Sequence, residues 1–210
     1  MKVTIKQLET ATGTLSNPSK MPGFGYGIPA RHCITGGRLR KVDCSVCSHC
    51  YGCKGRYVFK SVVAAQDRRF ASLADLEVWT ANMTALISRK LEKKEKVFRW
   101  HDSGDIQSAE HLSAIVQIAR NLPAIQFWLP TKEYGIVRRW LRSHRMPSNL
   151  VIRVSAPMVG ESLQAIPGTV SSTVQTGKGF VCPAPDQNNE CQDCRACWNK
   201  NVKSVDYHKQ

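Results

Sequence analysis

The chain has 210 residues, 42% apolar and 22% charged, and its 30 Lys plus Arg against 16 Asp plus Glu give a formal charge of +14. This is ordinary globular composition, long enough to bury a real core, and it excludes an intrinsically disordered chain. No run approaches the roughly 18 apolar residues of a membrane span, and MKVTIKQLETATGTLS lacks the apolar stretch of a signal peptide, so a soluble cytosolic protein is expected.

Residues 18–58 form a turn-rich, cysteine-rich N-terminal segment, in which YGIPA at 26–30 reads as a first strand. From residue 59 to 180 the texture becomes that of an α/β domain. Residues 72–92 read as a helix: Ser72 and Asp75 stand at capping-box spacing, and Leu76, Trp79, Met83, Leu86 and Ile87 follow at helical period. The mixed-sign RKLEKKEK at 89–96 is its exposed end. KVFRW, ending at Trp100, is a strand. Ser108 caps a second helix running to about Leu122, with Leu112, Ile115, Val116 and Ala119 on one face. IQFWL at 125–129, a helix over 134–144, LVIRVS at 150–155 and a later strand in GFVC at 179–182 complete the core. Residues 181–210 are a second cysteine-rich tail.

The central strands begin about 25 to 29 residues apart with a helix between each pair, the period of βαβ units and hence of a parallel sheet. A closed eight-stranded barrel takes about 250 residues. The expected fold is therefore α/β, a single domain over 1–210 built as a partial (βα) barrel or an open parallel sheet of about five or six strands. Cysteine-rich metal-binding segments are expected at both ends.

In such sheets chemistry gathers at the carboxyl ends of the strands. The first central strand runs into His101-Asp102-Ser103-Gly104-Asp105, the second into Pro130-Thr131-Lys132-Glu133, and the third into Ser155-Ala156-Pro157-Met158. His101 exchanges protons near neutral pH; Asp102 and Asp105 can hold a cation, orient a ribose or orient His101. Lys132 can bind a phosphate or carboxylate. These four are the candidate catalytic residues, with Ser103, Gly104, Thr131, Arg153 and Ser155 as candidate cofactor contacts. The bland reading of the first loop is a strand-to-helix turn whose Asp105 or Ser108 merely caps the next helix. Arg153 lies within a strand and faces either the interior or the outside.

Nine cysteines make a complete disulfide scheme impossible, and in a reducing compartment clustered cysteines point to metal. At the C-terminus Cys182 precedes Cys191, Cys194 and Cys197 in a C-x2-C-x2-C run. Three thiolates in succession with a distant fourth suit a [4Fe–4S] cluster; a four-thiolate zinc site pinning the tail is the alternative. At the N-terminus Cys44, Cys47, Cys50 and Cys53 recur every third residue, with Cys33 a further candidate. One cubane takes at most four thiolates, so one of these five is spare.

SKMPGFGYGIPARHC, SVCSHCYGCKGRYVF, FRWHDSGDIQSAEHL, FWLPTKEY, LVIRVSAPM and CPAP…CQDCRACW together resemble the gene product eighty-eight family of bacteriophage proteins, over roughly residues 18 to 207. The resemblance implies a phage or prophage origin and a host-cytoplasmic location, and it marks Cys47 and Cys50 as the firm pair. Cys44 and Cys53 are additions of this chain. More distantly, the layout is similar to radical S-adenosylmethionine (SAM) enzymes. Those are partial βα barrels whose three-cysteine cluster leaves one iron open for the amino acid moiety of SAM. That likeness implies Cys33, Cys47 and Cys50 as a three-ligand set and SAM as a cofactor, although the C-x3-C-x2-C spacing of those enzymes is absent.

Two functions follow. One is an iron–sulfur enzyme with one or two clusters, performing redox or radical chemistry at the strand ends. The other is a non-enzymatic, zinc- or cluster-stabilised protein that binds nucleic acid, another polyanion or a host factor, as the charge of +14 allows.

Overall fold

The computed structural model describes residues 3–209; Met1, Lys2 and Gln210 of the expected 1–210 domain lie outside the described residues. In chain order the elements are α1 (Ile5–Thr12), β1 (Phe24–Tyr26), α2 (Ile34–Leu39), α3 (Lys60–Ala71), α4 (Leu76–Lys90), β2 (Val97–Trp100), α5 (Ala109–Asn121), β3 (Gln126–Thr131), α6 (Tyr134–Leu141), β4 (Leu150–Ser155), β5 (Val170–Val174), β6 (Phe180–Val181) and β7 (Ser204–Tyr207). All the strands join one open sheet in the order β1-β2-β3-β4-β5-β7-β6, and every pairing is parallel.

The sheet thus has seven strands, not five or six. VSSTV in β5 was hidden by its serines and threonine, and β7 lies inside the tail read as a metal segment. GFVC does form a strand, but it sits outside β7 at the edge and is exposed. Among the described residues no helix is long and apolar enough to cross a membrane.

Alternation along the strands gives the sheet two different faces. Phe98 and Trp100 of β2, Phe127 and Leu129 of β3, and Ile152 and Val154 of β4 pack with Trp79, Met83, Ile115, Val137 and Trp140 of the helices in one large core. The helices that supply this core, α1, α4, α5 and α6, therefore cover one face. Tyr26 ties the first strand to them: its hydroxyl donates to Thr12 O (2.7 Å) and accepts from Trp79 Nε1 (3.2 Å). Ser72 does not cap α4. Asp75 does, accepting from Glu77 N and Val78 N, while the Ser72 hydroxyl bonds Arg69 O (2.8 Å) in the preceding turn.

The opposite face carries Val97, Arg99, Trp128 and Arg153, and the C-terminal tail plugs it. Val97, Trp128 and Trp198 form a second small core with Met21, Cys197 and Tyr207 packed against it. Trp198 Nε1 donates to Phe98 O (2.9 Å). Arg153 is wholly buried and turned to this face. Its Nε donates to Cys197 O (3.1 Å), Nη1 to Ser171 O (3.0 Å), and Nη2 to Ala196 O (2.8 Å), Asn199 O (3.0 Å) and Val202 O (3.0 Å). The expected cofactor contact is instead an anchor for the tail, with nearly every donor spent on backbone carbonyls.

Candidate functional site

The cysteine-rich loop arches over the carboxyl ends of the strands. Its spacing of three matches successive i→i+3 turns, in which side chains at i and i+3 eclipse: Cys50 N donates to Cys47 O (3.2 Å) and Cys53 N to Cys50 O (3.1 Å). One end is pinned beyond β4, where Val46 N donates to Pro157 O (2.8 Å) and Val159 N to Cys44 O (3.0 Å). The other is pinned beyond β2, where the Tyr51 hydroxyl donates to Asp102 O (2.6 Å). Cys33 enters at the start of α2, which Glu133 holds to the end of β3 by accepting from Thr35 N (2.8 Å) and Thr35 Oγ1 (2.7 Å).

This places Cys33, Cys47 and Cys50 around one cavity of about 500 Å³, together with His101, Asp102, Ser103, Gly104, Asp105, Thr131, Lys132 and Ser155. Gly36 lies against the Cys33 and Cys47 sulfurs and Gly52 against that of Cys50; a Cβ at Gly36 would stand 3.5 Å from Cys47 Sγ, and one at Gly52 3.6 Å from Cys50 Sγ. Cys44 and Cys53 are exposed and do not line the cavity.

Several candidates have roles that close interaction defines. Asp105 is buried and fully engaged: it accepts from Ile106 N (2.8 Å), Thr131 Oγ1 (2.6 Å) and Lys132 N (2.8 Å), fastening the β2 loop to β3. Burial pushes its carboxyl up to about 6, against those hydrogen bonds. Gly104, at φ +78°, packs on Ile28, where a Cβ would stand 2.6 Å from Ile28 O. Ser155 Oγ accepts from Ser172 Oγ (3.1 Å). His101 (φ +51°), Asp102 and Ser103 are different. Both His101 ring nitrogens, Asp102 Oδ1 and Ser103 Oγ are buried without a partner, in residues that line the cavity. Orphaned buried polar atoms are rare, and so many at one cavity mark a place for a ligand.

Burial also raises Cys33 and Cys47. Cys33 is pushed far up, with the charges of Asp105, Cys50, Cys47 and Glu133 adding to burial, and Cys47 rises against the pull of Lys132. Such thiols ionise only against a positive centre.

In the tail, burial raises Cys182 and Cys191, and neighbouring thiolates add to it: Cys194 acts on Cys182, and Cys182 and Cys194 act on Cys191. Cys197 is pushed up to about 11 by burial and stands 3.0 Å from the Tyr207 hydroxyl. Among the described residues no group of three or more His, Cys, Asp or Glu side chains converges as a single metal ion requires. The expectation of ready-made metal-binding segments at both ends is corrected to that extent. The thiols are gathered, at the N-terminal end around a cavity, but not on one point.

The residues not anticipated are Arg99 and Trp128, which line the cavity's deeper wall, and Thr35 with Glu133. Arg99 and Trp128 stood inside apolar strand runs; only the register, which makes them partners on β2 and β3, brings them together.

A family model described as Gene product 88 matches residues 2–200. The chain belongs to that family of phage proteins. The membership spans the loop, the strand ends and most of the tail, as the combined motifs implied. Comparison with curated proteins and with solved structures gave no match.

The histidines beneath this site make a pH prediction. His111 of α5 is buried, and burial pushes it down to about 4; His101, packed edge-on to it at 5.5 Å, is held well below the usual imidazole range by burial, His111 and Arg99. Both pKa values are depressed in the fold, so the stabilisation is present above the ordinary histidine pKa and is lost as pH falls toward 4. For His111 alone a shift of this size is worth about 3 kcal/mol. Urea unfolding at pH 7 and pH 4.5 should show the loss, and His111→Gln should shrink it; an unchanged pH slope in that variant would count against the assignment.

Proposed function

We propose that this family member is an iron–sulfur protein of the redox or radical type, with Cys33, Cys47 and Cys50 holding a [4Fe–4S] cluster at the carboxyl edge of the sheet. The observation that carries the reading is that three thiols, Cys33 from the start of α2 and Cys47 and Cys50 from the loop, line one cavity together with His101, Asp102 and Ser103, each of which carries a buried side-chain polar atom without a partner. A cubane's thiolates attach to separate irons, so its ligands spread around a cavity and do not meet at a point. The glycines beside the sulfurs and the raised Cys33 and Cys47 thiols fit such a group. When bound, a three-ligand cluster supplies one-electron chemistry at an iron open to a small ligand, for which SAM is the candidate.

Around it this chain's residues supply position and proton control. Lys132 offsets negative charge beside Cys47. Neutral His101 accepts a hydrogen bond from a bound molecule, and Asp102 Oδ1 accepts a second. The Tyr51 and Tyr57 rings, 5.5 Å apart, close the side of the cavity and keep water out. The consecutive order of β1 to β5, with helices on one face, supports the partial βα barrel. Cys182, Cys191, Cys194 and Cys197 would hold a second cluster, or zinc, on the plugged face. An oxygen-labile cluster suits a reducing host cytoplasm. Residues 31–60, the segment that carries the cysteine loop, hold seven Lys and Arg against one acidic residue, favouring a nucleic acid or other polyanion as the partner.

The test is anaerobic purification with iron, sulfide and zinc analysis, a visible spectrum and electron paramagnetic resonance of the reduced protein with and without SAM. About four to eight irons per chain, matching sulfide, and a SAM-dependent spectral change with SAM cleavage are expected. A colourless protein with stoichiometric zinc overturns the iron–sulfur reading. A cluster indifferent to SAM removes SAM and leaves the cluster.

A further inference from the structure

The deeper wall of the cavity holds an arginine without an anion. Arg99 is stacked over the Trp128 indole, its guanidinium carbon 4.5 Å from the ring centroid, as their register on β2 and β3 requires. The ion pairs among the described residues are Arg31–Asp67, Lys90–Glu9 and Arg195–Glu95, and none involves Arg99. Its Nη2 donates to the Tyr51 hydroxyl (3.0 Å), which steers the guanidinium without neutralising it. Two N–H groups of the stacked pair, Arg99 Nε and Trp128 Nε1, are buried with no acceptor. Two orphaned donors beside an unpaired positive charge ask for an acceptor that is itself charged. Both residues line the cavity that the Cys33, Cys47 and Cys50 thiols face.

We infer that the Arg99–Trp128 pair is an anion subsite, taking the carboxylate or phosphate of a ligand whose body extends up the cavity toward the thiols. The guanidinium and indole N–H groups grip the anion's oxygens. The Tyr51 and Tyr57 rings, packed on each other at 5.5 Å, give one side of the cavity an aromatic wall, which favours as ligand an aromatic or heteroaromatic acid or a nucleotide. The inference deepens the cavity reading above but stands on this pair alone, whatever the thiols carry.

Isothermal titration of the purified protein tests it with two matched pairs: indole-3-acetate against neutral indole-3-acetamide, and adenosine monophosphate against adenosine. At least one anion should bind about tenfold or more tighter than its neutral partner, a charge-assisted bond's worth, and which pair does so tells carboxylate from phosphate. Arg99→Gln should bring that ratio to about one. Tyr51→Phe, which keeps the charge but frees its aim, should narrow it roughly threefold and serves if Arg99→Gln does not fold. The inference is overturned if neither anion is preferred, or if the preference survives Arg99→Gln. It is also overturned if that variant loses metal from the tail with the preference unchanged, because Arg99 would then serve the nearby Cys191 and Cys197 thiolates. Absence of iron with an intact anion preference would sink the cluster reading and leave this one standing.

Discussion

Replacing Arg153 with methionine should destabilise the fold by about 3–5 kcal/mol, since five backbone carbonyls lose a charged donor and a buried group left unsatisfied costs about 1–3 kcal/mol. The side chain is wholly buried, and all five of its acceptors are backbone carbonyls, four of them in the tail between Ala196 and Val202. Methionine fills the space but leaves those carbonyls facing an apolar side chain, each without its donor. For a chain of this length the melting temperature should fall on the order of 10 °C. Limited proteolysis should then cut first between residues 183 and 203, because Trp198 and Cys197 lose their seat against Val97 and Trp128. Arg153→Lys should recover only part of the stability, since one ammonium cannot reach carbonyls spread around a planar fork. A melting temperature within two or three degrees of the parent's for Arg153→Met would remove Arg153 as the anchor of the tail.

The same arginine marks where sequence reading runs out. Its place in LVIRVS was legible, because alternation of apolar residues fixes a strand, and β4 spans those six residues. Its face was not, because a guanidinium with no acidic partner in the sequence pattern has no visible reason to be inside. The reason is a set of carbonyls supplied by later segments, Ser171 O 18 residues on and the other four 43 to 49 residues on. β5 escaped for a related cause: Ser171, Ser172 and Thr173 are buried, but their hydroxyls bond Lys203 O, Ser155 Oγ and Asp206, partners that only the sheet provides. At the site, the strand ends were legible from the parallel period alone, and so was the grouping of Cys33, Cys47 and Cys50 through resemblance. Arg99 and Trp128 were not, since a charge and an indole in two apolar runs become neighbours only through register. Spacing by itself also made Cys44 and Cys53 look equivalent to Cys47 and Cys50. Backbone direction breaks that equivalence: Cys44, at φ +60°, lies outside the cavity beside Val159, and Cys53 is exposed.

That inequality makes the sharpest test of the proposed centre. Cys47→Ala should remove about four irons per chain, the content of one cubane, and abolish any response of the spectrum to SAM. Cys44→Ala, three residues away in the same loop, should lose neither. The comparison is controlled for folding, because Cys47 contributes no side-chain hydrogen bond to the loop's anchors. These run through Pro157 O, Asp102 O and the Glu133–Thr35 pair, which both variants keep. Iron held by the tail cysteines should persist in Cys47→Ala, since none of those four thiols lines the cavity. Equal iron loss in the two variants would mean that the loop binds metal by its regular spacing, not by its arrangement around the cavity. The three-thiol assignment would then fall, and a four-thiolate site along Cys44, Cys47, Cys50 and Cys53 would replace it. Loss confined to Cys47→Ala, with Cys33→Ala and Cys50→Ala behaving alike, ties the open iron to the wall that carries His101 and Asp102.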